Sequence, residues 1–162
     1  MQFEISAYTS LIVIDGELYG CGLNQFAQLG LGHNNPVTTF TKIDAIFDGS
    51  GIKSIKCEDK FSLVLTNAGN VFTSNYTLGD KIVYDHSVSP PKIIEHVERF
   101  MRFIQITDLV GVTIMETKEF LCIALCDDEL YICQRSDSLW LSRCKIHINQ
   151  SKIYKISCNY GY

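Results

Sequence analysis

Leu18-Tyr19-Gly20-Cys21-Gly22-Leu23-Asn24-Gln25-Phe26-Ala27-Gln28-Leu29-Gly30-Leu31-Gly32 is the stretch whose reading decides the fold. Gly20, Gly22, Gly30 and Gly32 punctuate it, and glycine is the residue that accepts positive φ and close backbone approach. Ahead of it lies a strand-turn-strand unit. Phe3-Glu4-Ile5 leads to Ser10-Leu11-Ile12-Val13-Ile14, then Asp15-Gly16-Glu17, then Leu18-Tyr19. Asp15-Gly16 tolerates the backbone angles of a tight hairpin. Apolar alternation and branched residues on both sides suit a half-buried pleated surface.

The unit recurs. Ile52-Lys53-Ser54-Ile55-Lys56-Cys57 leads through Phe61, Leu63 and Leu65 to Thr66-Asn67-Ala68-Gly69-Asn70, then Val71-Phe72. Val112 to Met115 leads through Leu121, Ile123 and Leu125 to Cys126-Asp127-Asp128-Glu129, then Leu130-Tyr131. The residues after each turn, Leu18, Val71 and Leu130, lie 53 and 59 positions apart. A fourth copy begins at Ile153-Tyr154-Lys155-Ile156-Ser157-Cys158. A period of this size predicts a stacked or radial array in which each unit buries its faces against its neighbours. Each unit reads as two to four short strands, and four would make it a propeller blade. Leu11, Val13, Leu18, Leu63, Leu65, Val71, Ile123, Leu125 and Leu130 are the expected equivalent core positions.

The opening stretch, with its preceding strand and Asp-Gly turn, resembles the regulator-of-chromosome-condensation repeat. That family reads as an apolar strand, Asp-Gly, an apolar-aromatic pair, then Gly-x-Asn-x-x-Gly-Gln-Leu-Gly-x-Gly. Gly22, Asn24, Gln28, Leu29, Gly30 and Gly32 fall on the pattern. Ala27 replaces a glycine of it, and Cys21 stands where the family usually has tryptophan. The later units are degenerate: Asn75 and Leu78-Gly79 echo the motif in the second, and Gln134 to Trp140 has no glycine.

The resemblance implies an all-β fold, a partial β-propeller of about three blades built from four-stranded antiparallel sheets, against seven blades in the family. Unit 1 is expected over about 3–51, unit 2 over 52–111, unit 3 over 112–152 and the start of unit 4 at 153–162. The stop in mid-unit at Tyr160-Gly161-Tyr162 suits a fragment or a shortened member. The structural motif residues are Gly16, Gly22, Asn24, Gln28, Leu29, Gly30, Gly32 and Gly69. The implied role is a non-enzymatic protein-protein interaction scaffold. The alternative is a guanine-nucleotide exchange factor for a small GTPase, the role of the family's chromatin-bound founding member. Expected partners are a small GTPase or a chromatin-associated protein, with self-association through open blade edges.

Bulk properties narrow the classes. Net charge is −4 with a pI near 5.5, and no basic stripe invites a phosphate backbone, so no direct nucleic-acid binding is expected. The longest acidic run, Asp127-Asp128-Glu129, reads as a solvated hairpin tip. Leu11 to Ile14 is too short for a signal-peptide core, and no membrane contact is expected. Seven cysteines, an odd count mostly at strand positions, suit reduced thiols in cytoplasm or nucleus. They form no Cys-x-x-Cys pair, His33, His86, His96 and His147 are scattered, and no phosphate loop occurs, so neither metal nor cofactor is expected. Ser10, Ser62 and Cys122 have no discernible base, which leaves no catalytic residue to name.

One stretch departs from the β pattern. After Pro90-Pro91, apolar residues fall at Ile93, Ile94, Val97, Phe100, Met101 and Ile104 with helical spacing. A short helix over 92–104 is therefore expected, packed beside the propeller or docking a partner; a misread strand is the alternative. As an insertion it would account for the longer second interval.

Overall fold

The structure is a computed structural model that describes residues 1–74, 83–85, 92–95, 101–106, 110–118, 121–126, 129–135 and 140–146. Its strands are β1 (Gln2–Ile5), β2 (Thr9–Ile14), β3 (Glu17–Gly22), β4 (Val37–Lys42), β5 (Ile52–Cys57), β6 (Ser62–Thr66) and β7 (Val71–Ser74). There follow β8 (Val83–Asp85), β9 (Lys92–Glu95), β10 (Ile104–Gln105), β11 (Val112–Lys118), β12 (Leu121–Cys126), β13 (Glu129–Arg135) and β14 (Trp140–Ile146). They form three four-stranded antiparallel sheets, ordered β1-β2-β3-β4, β5-β6-β7-β10 and β11-β12-β13-β14, plus the pair β8-β9. Among the described residues there is no helix.

Local chemistry sets the register. Asp15 and Gly16 both take positive φ, 52° and 82°, and close the β2–β3 hairpin with Val13 opposite Leu18. Gly69, φ 82°, does the same between β6 and β7, where Leu65 faces Val71. In the third sheet Leu125 faces Leu130. Residues paired across antiparallel strands share a face, so these pairs set corresponding faces in all three sheets.

The faces then stack. Leu11, Val13 and Leu18 of the first sheet pack with Ile55, Cys57, Val64 and Phe72 of the second. The other face of the second sheet, with Leu63, Leu65 and Val71, packs with Val112, Met115, Cys122, Ala124 and Cys126 of the third. The middle sheet is thus covered on both sides, and every residue of β6 and β7 is buried. Alternate residues of one strand go to opposite neighbours, as a period of two dictates. Meander sheets stacked face to face in this way are propeller blades, and the chain is a partial β-propeller of about three blades.

Two expectations change. Lys92–Glu95 is a strand paired with β8, and Ile104 is a strand residue opposite Thr73, so the helix expected over 92–104 is not formed at either end; residues 96–100 lie outside the described residues. The helical spacing joined apolar residues from two separate β segments. Branched residues such as Ile93, Ile94 and Ile104 favour the extended backbone. The longer second interval has its insertion all the same: the β8-β9 pair sits between β7 and the strand that completes their sheet. Of the nine expected core residues, Ile123 alone is only half-buried, while Leu125 and Leu130 on the same face of the third sheet are buried. Asp127 and Asp128, the second-unit motif residues 75–80 and the fourth-unit start lie outside the described residues.

Leu63→Ala should lower stability by about 2–5 kcal/mol in denaturant titration, because the cavity opens between two covered faces, whereas Ile123→Ala should cost well under about 2 kcal/mol. Thr73 has a buried hydroxyl with no partner. Thr73→Val, of nearly the same shape, should raise stability by about 1 kcal/mol, since an unsatisfied buried hydroxyl carries a desolvation cost of that order. A drop on Thr73→Val would mean that the hydroxyl is satisfied after all.

Candidate functional site

The motif loop, residues 23–33, leaves β3 and folds under the first blade against the second. Two of its polar side chains, Asn24 and Gln28, point inward. Asn24 is 0% exposed, and its amide takes both hydrogen-bonding roles: Nδ2 donates to the His33 carbonyl at 2.7 Å, and Oδ1 accepts from the Leu29 amide at 2.9 Å. Gln28 is 1% exposed. Its Oε1 accepts from the Phe26 amide at 3.0 Å, and its Nε2 donates to Thr9 Oγ1 at 3.3 Å and to the Asp59 carbonyl at 3.1 Å. The last bond crosses to the β5–β6 turn. Ser74 Oγ of β7 donates back to the Gln28 carbonyl at 2.6 Å, and the Gly32 amide donates to the Met101 carbonyl at 2.7 Å. A buried loop must satisfy its own backbone, and here two amide side chains do much of it.

Gly16, Gly22, Gly30, Gly32 and Gly69 all adopt positive φ. Two of them also admit close neighbours. A Cβ on Gly22 would collide with the Tyr8 carbonyl, and one on Gly30 would stand 2.5 Å from the Phe103 ring. Phe103 is in turn wedged edge-on against Phe47, 5.7 Å between centroids. Leu29 is fully buried beside it in the same core. Ala27, at the position of a motif glycine, also has positive φ, 54°. Left-handed backbone costs a side-chain-bearing residue about 1–2 kcal/mol. Full burial of the Ala27 methyl, worth somewhat under about 1 kcal/mol, offsets part of that.

The innermost strands β1, β5 and β11 line a groove. Glu4, Lys56 and Glu116 occupy corresponding positions there, opposite Leu11, Leu63 and Ile123. Lys56 Nζ lies 3.0 Å from Glu4 Oε1 and 3.1 Å from Glu116 Oε2, so one ammonium joins three blades. Burial pulls the Lys56 pKa down, but hydrogen bonds and attraction from the two carboxylates outweigh it and hold the group above its ordinary value. Cavities of about 440 and 430 Å³ open along the groove and share these three residues. The first is lined by Phe3, Ile55, Ile114 and Met115, and the second by Ser6, Glu58, Asp59 and Thr117. Sequence reading missed this ladder; the signal was a charged residue at one fixed repeat position, with alternating sign.

Two further groups stand out. Burial, then the Glu4 charge, pushes the Cys57 thiol up to about 12, so it is protonated and unreactive at neutral pH. Asp48 lies in the segment between the first two blades. It accepts from the Ser50 amide and hydroxyl, Thr66 Oγ1 and Asn70 Nδ2 at 2.5–2.9 Å, which ties that segment to the β6–β7 hairpin. Partial desolvation opposes ionisation, yet these four donors hold its carboxyl well below the usual range. His33 is half-buried, with its carbonyl held by Asn24 and its Nδ1 accepting from the Asn35 amide at 3.2 Å.

Four-stranded blades clamped by a buried polar loop define a repeat protein of the β-propeller class. Residues 15–65 match the Regulator of chromosome condensation (RCC1) repeat, so this stretch of the chain is similar to a repeat of that family. It is 35% identical over 66 residues to the secretion-regulating guanine nucleotide exchange factor of Bos taurus, covering 41% of this chain and 14% of that protein. It is 31% identical over 91 residues to the ultraviolet-B receptor UVR8 of Arabidopsis thaliana, covering 54% of this chain and 20% of the receptor. Among solved structures, human WBSCR16 superposes with a TM-score of 0.66 at 18% identity, covering 90% of this chain and 37% of that one. Prp20p of Saccharomyces cerevisiae, described with its binding to Gsp1p and histones, gives 0.63 at 15% identity over 91% of this chain and 38% of its own. The chain therefore spans well under half the length of each of these proteins.

Gly30→Val should destabilise by at least about 2 kcal/mol, as strain and the clash with Phe103 add, and Asn24→Ala by about 1–3 kcal/mol through orphaned backbone groups; urea midpoints read both. A depressed carboxyl pKa contributes stability that is present above the unfolded value and is lost as pH falls through the folded one. Asp48 should therefore make the protein less stable below pH about 4. Asp48→Asn should be weaker at pH 7 but should flatten the acid limb of a stability-against-pH curve.

Proposed function

We propose that this chain is a non-enzymatic protein-interaction scaffold of the RCC1-repeat type, with units over 3–51, 52–111, 112–152 and 153–162. The observation that carries this reading is where the motif residues go. Asn24, Gln28, Leu29 and Gly30 are buried and spent on the loop backbone and on the second blade. They hold blades together, which leaves exposed turns and the inner-strand groove to meet partners on a rigid frame. The partner is a protein, either a small GTPase or a chromatin-associated one, and the compartment is nucleus or cytoplasm. The protonated Cys57 thiol and the covered Cys122 and Cys126 suit a reducing compartment.

The second reading is guanine-nucleotide exchange on a small GTPase. It is favoured by the name of the bovine relative, which covers only 41% of this chain. Exchange requires a surface that pries nucleotide from its GTPase, and the described motif residues supply none of it. The purified chain should therefore leave labelled-GDP release from a panel of small GTPases within about twofold of the spontaneous rate. Acceleration by orders of magnitude would overturn the scaffold reading in favour of exchange.

A further inference from the structure

The groove along β1, β5 and β11 is bordered by strand edges rather than by sheet faces. Residues 1–4, 53–56 and 113–116 line its first cavity, and residues 4–7, 56–59 and 116–118 line its second. A sheet face would contribute every second residue, whereas these runs are unbroken. Each of the three strands is the last in its sheet, so no strand of that sheet pairs with its inner edge. One β5 carbonyl already takes a donor from the neighbouring blade: Gln2 Nε2 donates to the Lys53 carbonyl at 3.0 Å. Strand edges of this kind take up the backbone of an extended peptide.

The two halves of the groove differ in chemistry. Phe3 and Ile114 give the first cavity an apolar wall, and its carboxylates, Glu4 and Glu116, are matched by the ammonium groups of Lys53 and Lys56. The second cavity gathers four carboxylates, Glu4, Glu58, Asp59 and Glu116, against the two ammonium groups of Lys56 and Lys118. Lys56 serves Glu4 and Glu116, and Thr117 Oγ1 donates to Glu58 Oε1 at 2.9 Å. Three carboxylates thus share one ammonium and one hydroxyl, and among the described residues the Asp59 carboxylate has no donor. An ionised carboxylate accepts about four hydrogen bonds, so acceptor capacity is left over. A cleft with one prevailing sign of charge concentrates the opposite sign.

We propose that this groove binds an extended segment of a protein partner that carries one basic and one apolar side chain. The proposal deepens the scaffold reading and rests on it, naming the surface used and the chemistry of what is bound. The basic side chain enters the second cavity, where Glu58 and Asp59 receive it. Arginine suits the place better than lysine, because its planar fork bonds two carboxylate oxygens at once. The apolar side chain enters the first cavity, against Phe3 and Ile114. Ser54 in the first cavity and Glu58 in the second lie four residues apart on one blade, about 13 Å along an extended chain. An extended segment turns every second side chain to the same side, so its basic and apolar residues are four positions apart. Charge complementarity selects this occupant: an acidic segment would set further carboxylates against the four already there.

The test is fluorescence polarisation with the full chain and fluorescein-labelled peptides of seven residues. In a background of serine and threonine, one leucine and one arginine are set two, three, four or five positions apart, in either order. Binding should be tightest at a spacing of four, about tenfold tighter than with citrulline, the neutral isostere, in place of arginine, and weakened by added salt. Glu58→Gln, whose amide oxygen still accepts from Thr117, and separately Asp59→Asn should each weaken it about threefold or more. Glu17→Gln removes the same charge from β3, outside the groove, where Glu17 pairs with Lys42, and should leave binding unchanged. Circular dichroism and urea midpoints verify that each variant folds. Equal affinity for the citrulline peptide, tighter binding of a glutamate peptide, an equal loss on Glu17→Gln, or no binding at any spacing up to about 1 mM would each overturn the proposal. The labelled-GDP assay contains no peptide, so the scaffold reading and the groove fail separately.

Discussion

The Asn24 and Gln28 side chains, fully enclosed between two sheets, are the constraint on which the rest of the molecule depends. Burying a loop beneath a blade strands its backbone amides and carbonyls away from water, at a cost of about 1–3 kcal/mol for each group left unpaired. Asn24 answers a carbonyl and an amide within the loop, and Gln28 answers one amide in the loop and one carbonyl in the next blade. The second pair of contacts is what makes the device structural for the array as well as for the unit. A side chain that must reach Asp59 fixes how far the second blade sits from the first. Once that distance is set, Gly30 has to lie against Phe103, and Leu29 has to fill the space beside it.

Polar ties of this kind recur between blades, and they differ in what they contribute. The apolar stacks supply most of the stabilisation, since Leu11, Leu63, Leu65 and Val71 are covered almost completely. They discriminate poorly between neighbouring angles of rotation. Directional contacts discriminate better: Lys56 to Glu4 and Glu116, Thr117 to Glu58, and Arg102 to the Asp44 carbonyl. Partly exposed pairs are individually weak. Lys56 gains from serving two carboxylates at once, because each partner fixes the orientation in which it meets the other.

Much of this was legible in the sequence, and the reasons are local. Asp15-Gly16 and Gly69 announce hairpins because few residues accept their backbone angles. Alternation around Leu63 and Leu65 announces a strand because its period is two. Motif glycines and amides sit close together in sequence, so their pattern survives without any knowledge of contacts. What was lost lies at longer range. The β8-β9 insertion was legible as extra length, but its apolar residues imitated a helix, since a period can be counted across a break that the sequence does not mark. The Glu4–Lys56–Glu116 ladder spans 112 positions and shows only once the inner strands are laid in register.

Ile123 shows why equivalence of position does not ensure equivalence of burial. It stands where Leu11 and Leu63 stand, opposite Glu116 as they stand opposite Glu4 and Lys56. Leu11 and Leu63 each face a following blade and are 0% exposed, whereas Ile123 is half-buried. On the other side of the array, Phe3 and Ile5 stand where Ile55 and Cys57 stand, yet are mostly exposed. In a quasi-one-dimensional array a residue's burial is a property of the neighbouring unit as much as of its own. The repeat alignment therefore predicts the type of side chain at each position, while the neighbour decides whether that side chain stabilises the fold or remains open to recognise a partner.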